Sequence, residues 1–175
     1  PPTVVIIPEY KVAIEGKGIR LATVHVRRGA PDVQDPRLNS HSKLNCIQAC
    51  IQADKMGADE ALMLDPHGFV ATCNSTHFFI VRKDQVWTSS GKYCLSGITR
   101  ANVLMLCGEN RIESFEKDFS LIDVYGADEA FVTGTFAGLI PVTEIDGRMI
   151  SDTKGPVTTR LQKLYKALCD QEAII

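Results

Sequence analysis

Lys43 sits between a polar, proline-containing loop and a helix-like run, in Asn39-Ser40-His41-Ser42-Lys43-Leu44-Asn45. Two Gly/Thr turns follow downstream, Leu95-Ser96-Gly97-Ile98-Thr99-Arg100 and Ala127-Asp128-Glu129-Ala130-Phe131-Val132-Thr133-Gly134-Thr135. These residue types could hold a phosphorylated aldehyde: the lysine amine forms a Schiff base with the carbonyl, and the two turns grip the phosphate. Such an amine must reach its neutral form, whereas a free lysine stays protonated up to a pH of about 10. Gly97-Ile98-Thr99 reads as a helix start, where unpaired N–H groups and the positive dipole end suit an anion. Gly97 permits close backbone approach and Thr99 adds a hydroxyl donor. Taken singly, the same residues also read as a surface lysine opening a helix and as a plain turn with a Thr cap.

The elements that must position these residues follow from periodicity. Ile19 to Val26 alternates apolar and polar positions, the pattern of a half-buried strand. Arg27 to His41 holds Gly29, Pro31 and Pro36, so it is a loop, and its length hints at function. From Lys43 the period changes: Leu44, Ile47, Cys50 and Ile51 share one helical face, and Gly57 ends the run. Glu60 to Leu64, Phe69 to Thr72, His77 to Arg82 and Val86 to Thr88 read as short strands, the first two joined by the turn Asp65-Pro66-His67-Gly68. Thr99 to Cys107 is a second helix with Gly108 as its stop, and Arg111 to Lys117 is a strand. Ser120 to Asp123 has capping-box spacing. Glu129 to Thr133 is an apolar strand, and Pro141 to Ile150 is a hairpin turning at Asp146-Gly147. Pro156 opens a final helix on which Leu161, Leu164, Tyr165 and Leu168 recur at helical spacing. The mixture predicts an α/β (mixed α+β) domain with a mixed sheet and flanking helices.

Composition removes several classes of function. A chain of 175 residues accommodates one domain with one sizeable core. Its net charge of −2 leaves no electrostatic footprint for nucleic acid, and no basic run suggests a membrane surface. The apolar stretches are too short to span a bilayer, and Pro1-Pro2 followed by Val4 to Ile7 is no signal peptide. The six cysteines form no CxxC pair and read as reduced, packed thiols, which implies a reducing, intracellular and cytoplasmic setting. His25, His41, His67 and His77 lack metal-ligand spacing, so no metal is expected. Ser40 and Ser42 flank His41 without the glycines of a nucleophile elbow.

The order and spacing of several short motifs go further. Arg27-Arg28, Lys43 with Asn45, Ala58-Asp59-Glu60-Ala61, Leu95 to Arg100, Ala127 to Thr135 and Ile145-Asp146-Gly147-Arg148 follow one another along the chain. From Ile19 to Leu168 the sequence resembles the C-terminal, cofactor-binding large domain of the class IV (fold type IV) pyridoxal-phosphate-dependent aminotransferases. That family holds branched-chain and D-amino-acid aminotransferases and aminodeoxychorismate lyase.

The resemblance implies the large-domain fold of the D-amino-acid aminotransferase type, with residues 1–175 as a single domain binding pyridoxal 5'-phosphate (PLP). It makes Lys43 the lysine that links to PLP and shuttles the α-proton. Thr72 falls where the pyridine nitrogen is met, and Gly97, Ile98, Thr99 and Thr135 fall where phosphate is held. Thr135 and Phe136 fall in the loop that meets the substrate carboxylate. It further implies transfer of an amino group between an amino acid and a 2-oxo acid, in a homodimer. The sequence departs from the family in three places: Thr72 replaces an acid, His77 an asparagine, and Cys46 a tyrosine of branched-chain members. The family's N-terminal small domain has no counterpart in these residues. Those departures keep open a non-enzymatic homologue and a PLP lyase of the same fold.

Overall fold

The computed structural model of the protein describes residues 3–10, 18–32, 34–151 and 155–172. Pro1-Pro2, and Val33 of the long loop, lie outside these. Among the described residues one mixed sheet carries nine strands: β1 (Ile19–Thr23), β2 (Glu60–Leu64), β3 (Val70–Cys73), β4 (His77–Arg82), β5 (Gln85–Thr88), β6 (Ser114–Glu116), β7 (Glu129–Gly134), β8 (Gly138–Ile145) and β9 (Arg148–Met149). Their order is β3-β2-β1-β8-β7-β4-β5-β6, with β9 paired to β8. β1 is parallel to both β2 and β8, and β5 to β6; the remaining pairs are antiparallel. β1 stops short of the expected Val26. The chain still follows β2, because the Val24 and Arg28 N–H groups donate to the Leu62 and Leu64 carbonyls at 3.1 and 2.9 Å.

β4 explains why its sequence shows no alternation. Phe78 and Ile80 join the core on one face of the sheet, while Phe79 and Val81 join the core on the other. A strand covered on both faces reads as a continuous apolar run. Phe79 sits opposite Phe131 of β7 with the rings stacked at 4.9 Å.

Among the described residues four helices cover the sheet: α1 (Leu44–Lys55), α2 (Ile98–Glu109), α3 (Leu121–Tyr125) and α4 (Pro156–Glu172). α2 and α4 bury Val103, Leu106, Cys107 and Leu161 against Phe79, Val81 and Phe131. α3 places Val124 in the opposite core beside Phe119, and the Asp123 carboxylate accepts the Ser120 N–H at 3.0 Å, as its capping spacing predicts. α1 corrects the sequence reading. Its buried side is Ala49 and Ala53, packed among Ala22, Val24, Ala61 and Met63. Leu44, Ile47 and Ile51 face outward at 64, 51 and 49% exposure, and Cys50 is exposed as well. Small residues let the helix lie close to β1 and β2; periodicity could not say which of two apolar stripes would turn inward. α2 also overruns its expected stop at Gly108, running to Glu109 with Asn110 as its C-cap and Arg111 in the left-handed region at φ 55. The strand expected over Arg111 to Lys117 shrinks to β6, alongside the four-residue β5.

Two acids lock distant pieces together. Asp146 opens the β8–β9 turn at φ 54, followed by Gly147 at φ 75. Its carboxylate accepts the Thr23 N–H and hydroxyl, both at 2.6 Å, and the Tyr125 hydroxyl at 2.7 Å. Glu129, buried at the start of β7, accepts the Val157 and Thr158 N–H groups at 3.0 and 2.7 Å, satisfying the first turn of α4. No helix among the described residues is long and apolar enough to cross a membrane. All six cysteines are free; Cys73, Cys94 and Cys107 are buried, while Cys50 and Cys169 are exposed.

Candidate active site

Lys43 immediately precedes α1, at φ −99 and ψ 22, and lines a cleft of about 310 Å³ together with Cys46, Thr72, Thr76, His77 and Leu95. That volume suits a small ligand. The Lys43 side chain makes no hydrogen bond or ion pair to a described residue, so its amine is uncommitted. Arg28 builds the wall behind it. Its guanidinium donates to the Tyr93 carbonyl at 3.1 Å, the Pro36 carbonyl at 3.2 Å, the Cys46 sulfur at 3.0 Å and Asn45 Oδ1 at 3.4 Å. Asn45 in turn donates to the Arg27 carbonyl at 2.8 Å. The long loop, the first turn of α1 and the segment before α2 are thus held by one cation. Arg27 is exposed, whereas Arg28 is half-buried and acts as a tie.

Thr72 also lines the cleft, next to the β3–β4 turn. Its hydroxyl donates to the Thr76 carbonyl at 2.8 Å, and that carbonyl also accepts the Cys73 N–H at 3.0 Å. The turn is anchored from below by Glu60, which is buried at the start of β2. The Glu60 carboxylate accepts the Ser75 N–H and hydroxyl, both at 2.8 Å, the Thr76 N–H at 2.9 Å and the Thr76 hydroxyl at 2.8 Å. Burial, reinforced by the Glu60 charge, holds the Cys73 thiol well above its ordinary range. Cys73 is therefore an inert neighbour at neutral pH.

His77 links this turn to α2. Its imidazole lies against Gly97, where an added Cβ would collide with Nε2 and Cδ2. Burial, and then the positive charges of Arg100 and Arg28, push its pKa down to about 4, so the ring is neutral at pH 7. Gly97 opens α2 without a side-chain cap, and no acid occupies the first turn. The first N–H groups of this 12-residue helix are left for an anion. Thr99 turns inward: it is 3% exposed, with Oγ1 at 3.5 Å from the Tyr165 hydroxyl. Thr133 Oγ1, on the next strand opposite His77, is buried without a partner.

The structure brings Lys43 and Thr72 into one cleft and sets Gly97, Ile98 and Thr99 beside it through His77. Thr135 and Phe136 lie outside the cleft lining, exposed on the β7–β8 turn, with Phe136 at 56% exposure. Gly134 brings that turn near the cleft, since a Cβ there would meet Thr76 Cγ2 at 3.4 Å. Sequence reasoning missed the Glu60 anchor and the Arg28 tie. An acid opening an otherwise apolar strand was the signal for the first; nothing local announced the second.

The family model of Amino-transferase class IV matches residues 2–145, and the chain belongs to the class IV aminotransferase family. It is 41% identical over 175 residues to branched-chain-amino-acid aminotransferase-like protein 2 of Arabidopsis thaliana, covering 98% of this chain and 31% of that protein. It is 43% identical over 151 residues to a putative branched-chain-amino-acid aminotransferase of Methanocaldococcus jannaschii, covering 85% of this chain and 52% of that one. A solved aminotransferase of Brucella abortus bound to the cofactor PLP superposes with a TM-score of 0.86 at 29% identity, covering 91% of this chain and 57% of that chain. The branched-chain aminotransferase of the thermophilic archaeon Thermoproteus uzoniensis, solved with norvaline, gives 0.82 at 34% identity, covering 87% and 52%. The chain therefore spans about a third to a little over half the length of these relatives.

Proposed function

We propose that the protein is a PLP-dependent aminotransferase that moves an amino group between an amino acid and a 2-oxo acid. The observation that carries this reading is the uncommitted Lys43 amine lining one cleft with Thr72, with the uncapped start of α2 alongside. The donor set fits the cofactor. Backbone N–H groups of Ile98 and Thr99, at the uncapped start of α2, would take the phosphate, with Thr135 from the β7–β8 turn. Thr72 would meet the ring nitrogen, and Lys43 would hold the cofactor carbonyl. Bound there, PLP supplies an electrophilic carbonyl and an electron sink for charge developing on the substrate α-carbon. As a free amine, Lys43 would carry the α-proton. Arg28 serves this by fixing the first turn of α1, which Lys43 immediately precedes. Thr135 and Phe136 would border the substrate carboxylate.

On the same reading the chain is the cofactor-binding portion of a larger active site. The relatives run from over one and a half times to about three times its length, and class members use a small domain and a second subunit to complete the cleft. A homodimer follows as part of this proposal. The test is direct. Purified protein is incubated with PLP, reduced with borohydride and digested. A phosphopyridoxyl adduct on Lys43, lost in Lys43→Ala, supports the reading, and so does conversion of bound PLP to pyridoxamine phosphate by an amino-acid panel. Failure to take up PLP, or labelling at other lysines alone, refutes it.

A further inference from the structure

The three-link chain under the cleft has a direction. The Thr72 hydroxyl spends its single proton on the Thr76 carbonyl at 2.8 Å. A hydroxyl carries one donor and two acceptor positions, so what Thr72 has left to offer is lone pairs. The Thr76 carbonyl is held in place from the other side. Glu60 accepts both the N–H and the hydroxyl of Thr76, and both groups of Ser75, through four hydrogen bonds. The turn is pinned again by the Asn74 side chain, which accepts the Ala61 N–H at 2.7 Å. Reversing the Thr72 hydroxyl would surrender its bond to Thr76 and leave that carbonyl with the Cys73 N–H alone. One net hydrogen bond biases the two orientations by roughly fivefold.

We propose that Glu60 is a positioning residue that fixes Thr72 as a hydrogen-bond acceptor toward the cleft, so that the site selects a protonated ring nitrogen with no carboxylate against it. The inference rests on the aminotransferase reading above and assigns the acid that the residue at position 72 does not supply. Glu60 acts from one peptide further away, through Thr76. The sign of its charge favours the protonated nitrogen, and the buried setting screens that charge less than water would. Thr72 itself meets the ring; Glu60 does not touch it.

The experiment loads the protein with PLP labelled with nitrogen-15 at the ring nitrogen and reads its chemical shift at one fixed neutral pH. Wild type is expected in the protonated pyridinium range. Glu60→Gln, which keeps the shape but removes the charge and one acceptor, is expected to lower the protonated-to-neutral ratio at least fivefold. Thr72→Val, which removes the acceptor, is expected to lower it further, while Thr72→Ser restores the wild-type shift. A neutral pyridine nitrogen in wild type overturns the inference without any variant, and so is independent of whether Glu60→Gln folds. A Glu60→Gln shift identical to wild type, with Thr72→Val displaced, overturns the role of Glu60. Absence of PLP uptake by wild type would instead overturn the aminotransferase reading, and this inference with it.

Discussion

His77 makes stability depend on pH in a calculable way. Its imidazole is buried against Gly97 and faces Arg100 and Arg28, and its pKa is lowered from 6.5 to about 4. The unfolded chain binds a proton here near pH 6.5, whereas the folded chain refuses it until about pH 4. Between those values the unfolded state holds more protons, so stability rises with pH. The contribution is complete above about pH 6.5 and is lost as the pH falls toward 4. A displacement of this size corresponds to about 3 kcal/mol, a large share of a typical folding free energy. The assay is urea denaturation at intervals from pH 7.5 down to 4.5, on wild type and on His77→Asn and His77→Gln. Wild type should lose roughly 2 to 3 kcal/mol more than either variant over that range, because asparagine and glutamine do not titrate. Nuclear magnetic resonance of the imidazole protons gives an independent reading. If the His77 ring titrates near 6.5 in the folded protein, or if wild type and variants run parallel with pH, the reasoning is wrong.

Three further outcomes follow from packing. Gly97→Ala drives a methyl group into the His77 ring, and should cost about 1 to 3 kcal/mol while weakening PLP binding; an unchanged Tm with unchanged PLP titration would contradict this. Glu129→Gln removes the charged acceptor of the Val157 and Thr158 N–H groups, and should cost about 1 to 2 kcal/mol with faster hydrogen exchange confined to the first turn of α4. Slowed or unchanged exchange there would count against the capping role. Phe131→Ala removes one ring of the 4.9 Å stack in a fully buried setting, and should destabilise by about 3 to 5 kcal/mol in chemical denaturation; a loss below about 1 kcal/mol would mean the core refills the space.

The elements legible in the sequence are those whose signals are local. β4 announces itself as an apolar β-branched and aromatic run, Asp146-Gly147 as a hairpin turn, Ser120 to Asp123 as a cap, and Pro156 as a helix start. Lys43 and Gly97-Ile98-Thr99 are legible as candidates because their types and order repeat a family pattern, and Thr72 because it stands where that pattern has an acid; the structure lines one cleft with Lys43 and Thr72. What stayed hidden depends on contacts between residues far apart in the chain. α1 offers two apolar stripes, and only the fit against Ala61 and Met63 decides that Ala49 and Ala53 go inward. Glu60 reads as the first residue of a strand until the turn 15 residues later folds over it. Arg28 reads as surface charge until Tyr93, 65 residues away, supplies the carbonyl it holds. Arg111 at positive φ defeats a rule that looks for glycine at helix ends.

The Glu129 cap also sets a length standard. Glu129 fixes the first turn of α4 to the start of β7, and Tyr165 of α4 reaches both Thr99 and Gly138 near the far end of that strand. From Val157 to Tyr165 the helix advances about 12 Å, at roughly 1.5 Å per residue. From Glu129 to Gly134, which pairs with Gly138, the strand advances about 17 Å, at roughly 3.3 Å per residue. Helix and strand thus work as two rulers with a common zero at Glu129, the Tyr165 side chain bridging from the shorter one to Gly138 and Thr99. Inserting one residue in either ruler would leave the zero intact and misalign the other end, beside the start of α2 and the Gly134–Gly138 turn. Tolerance to insertion should therefore be low along both segments, though much of α4 faces solvent.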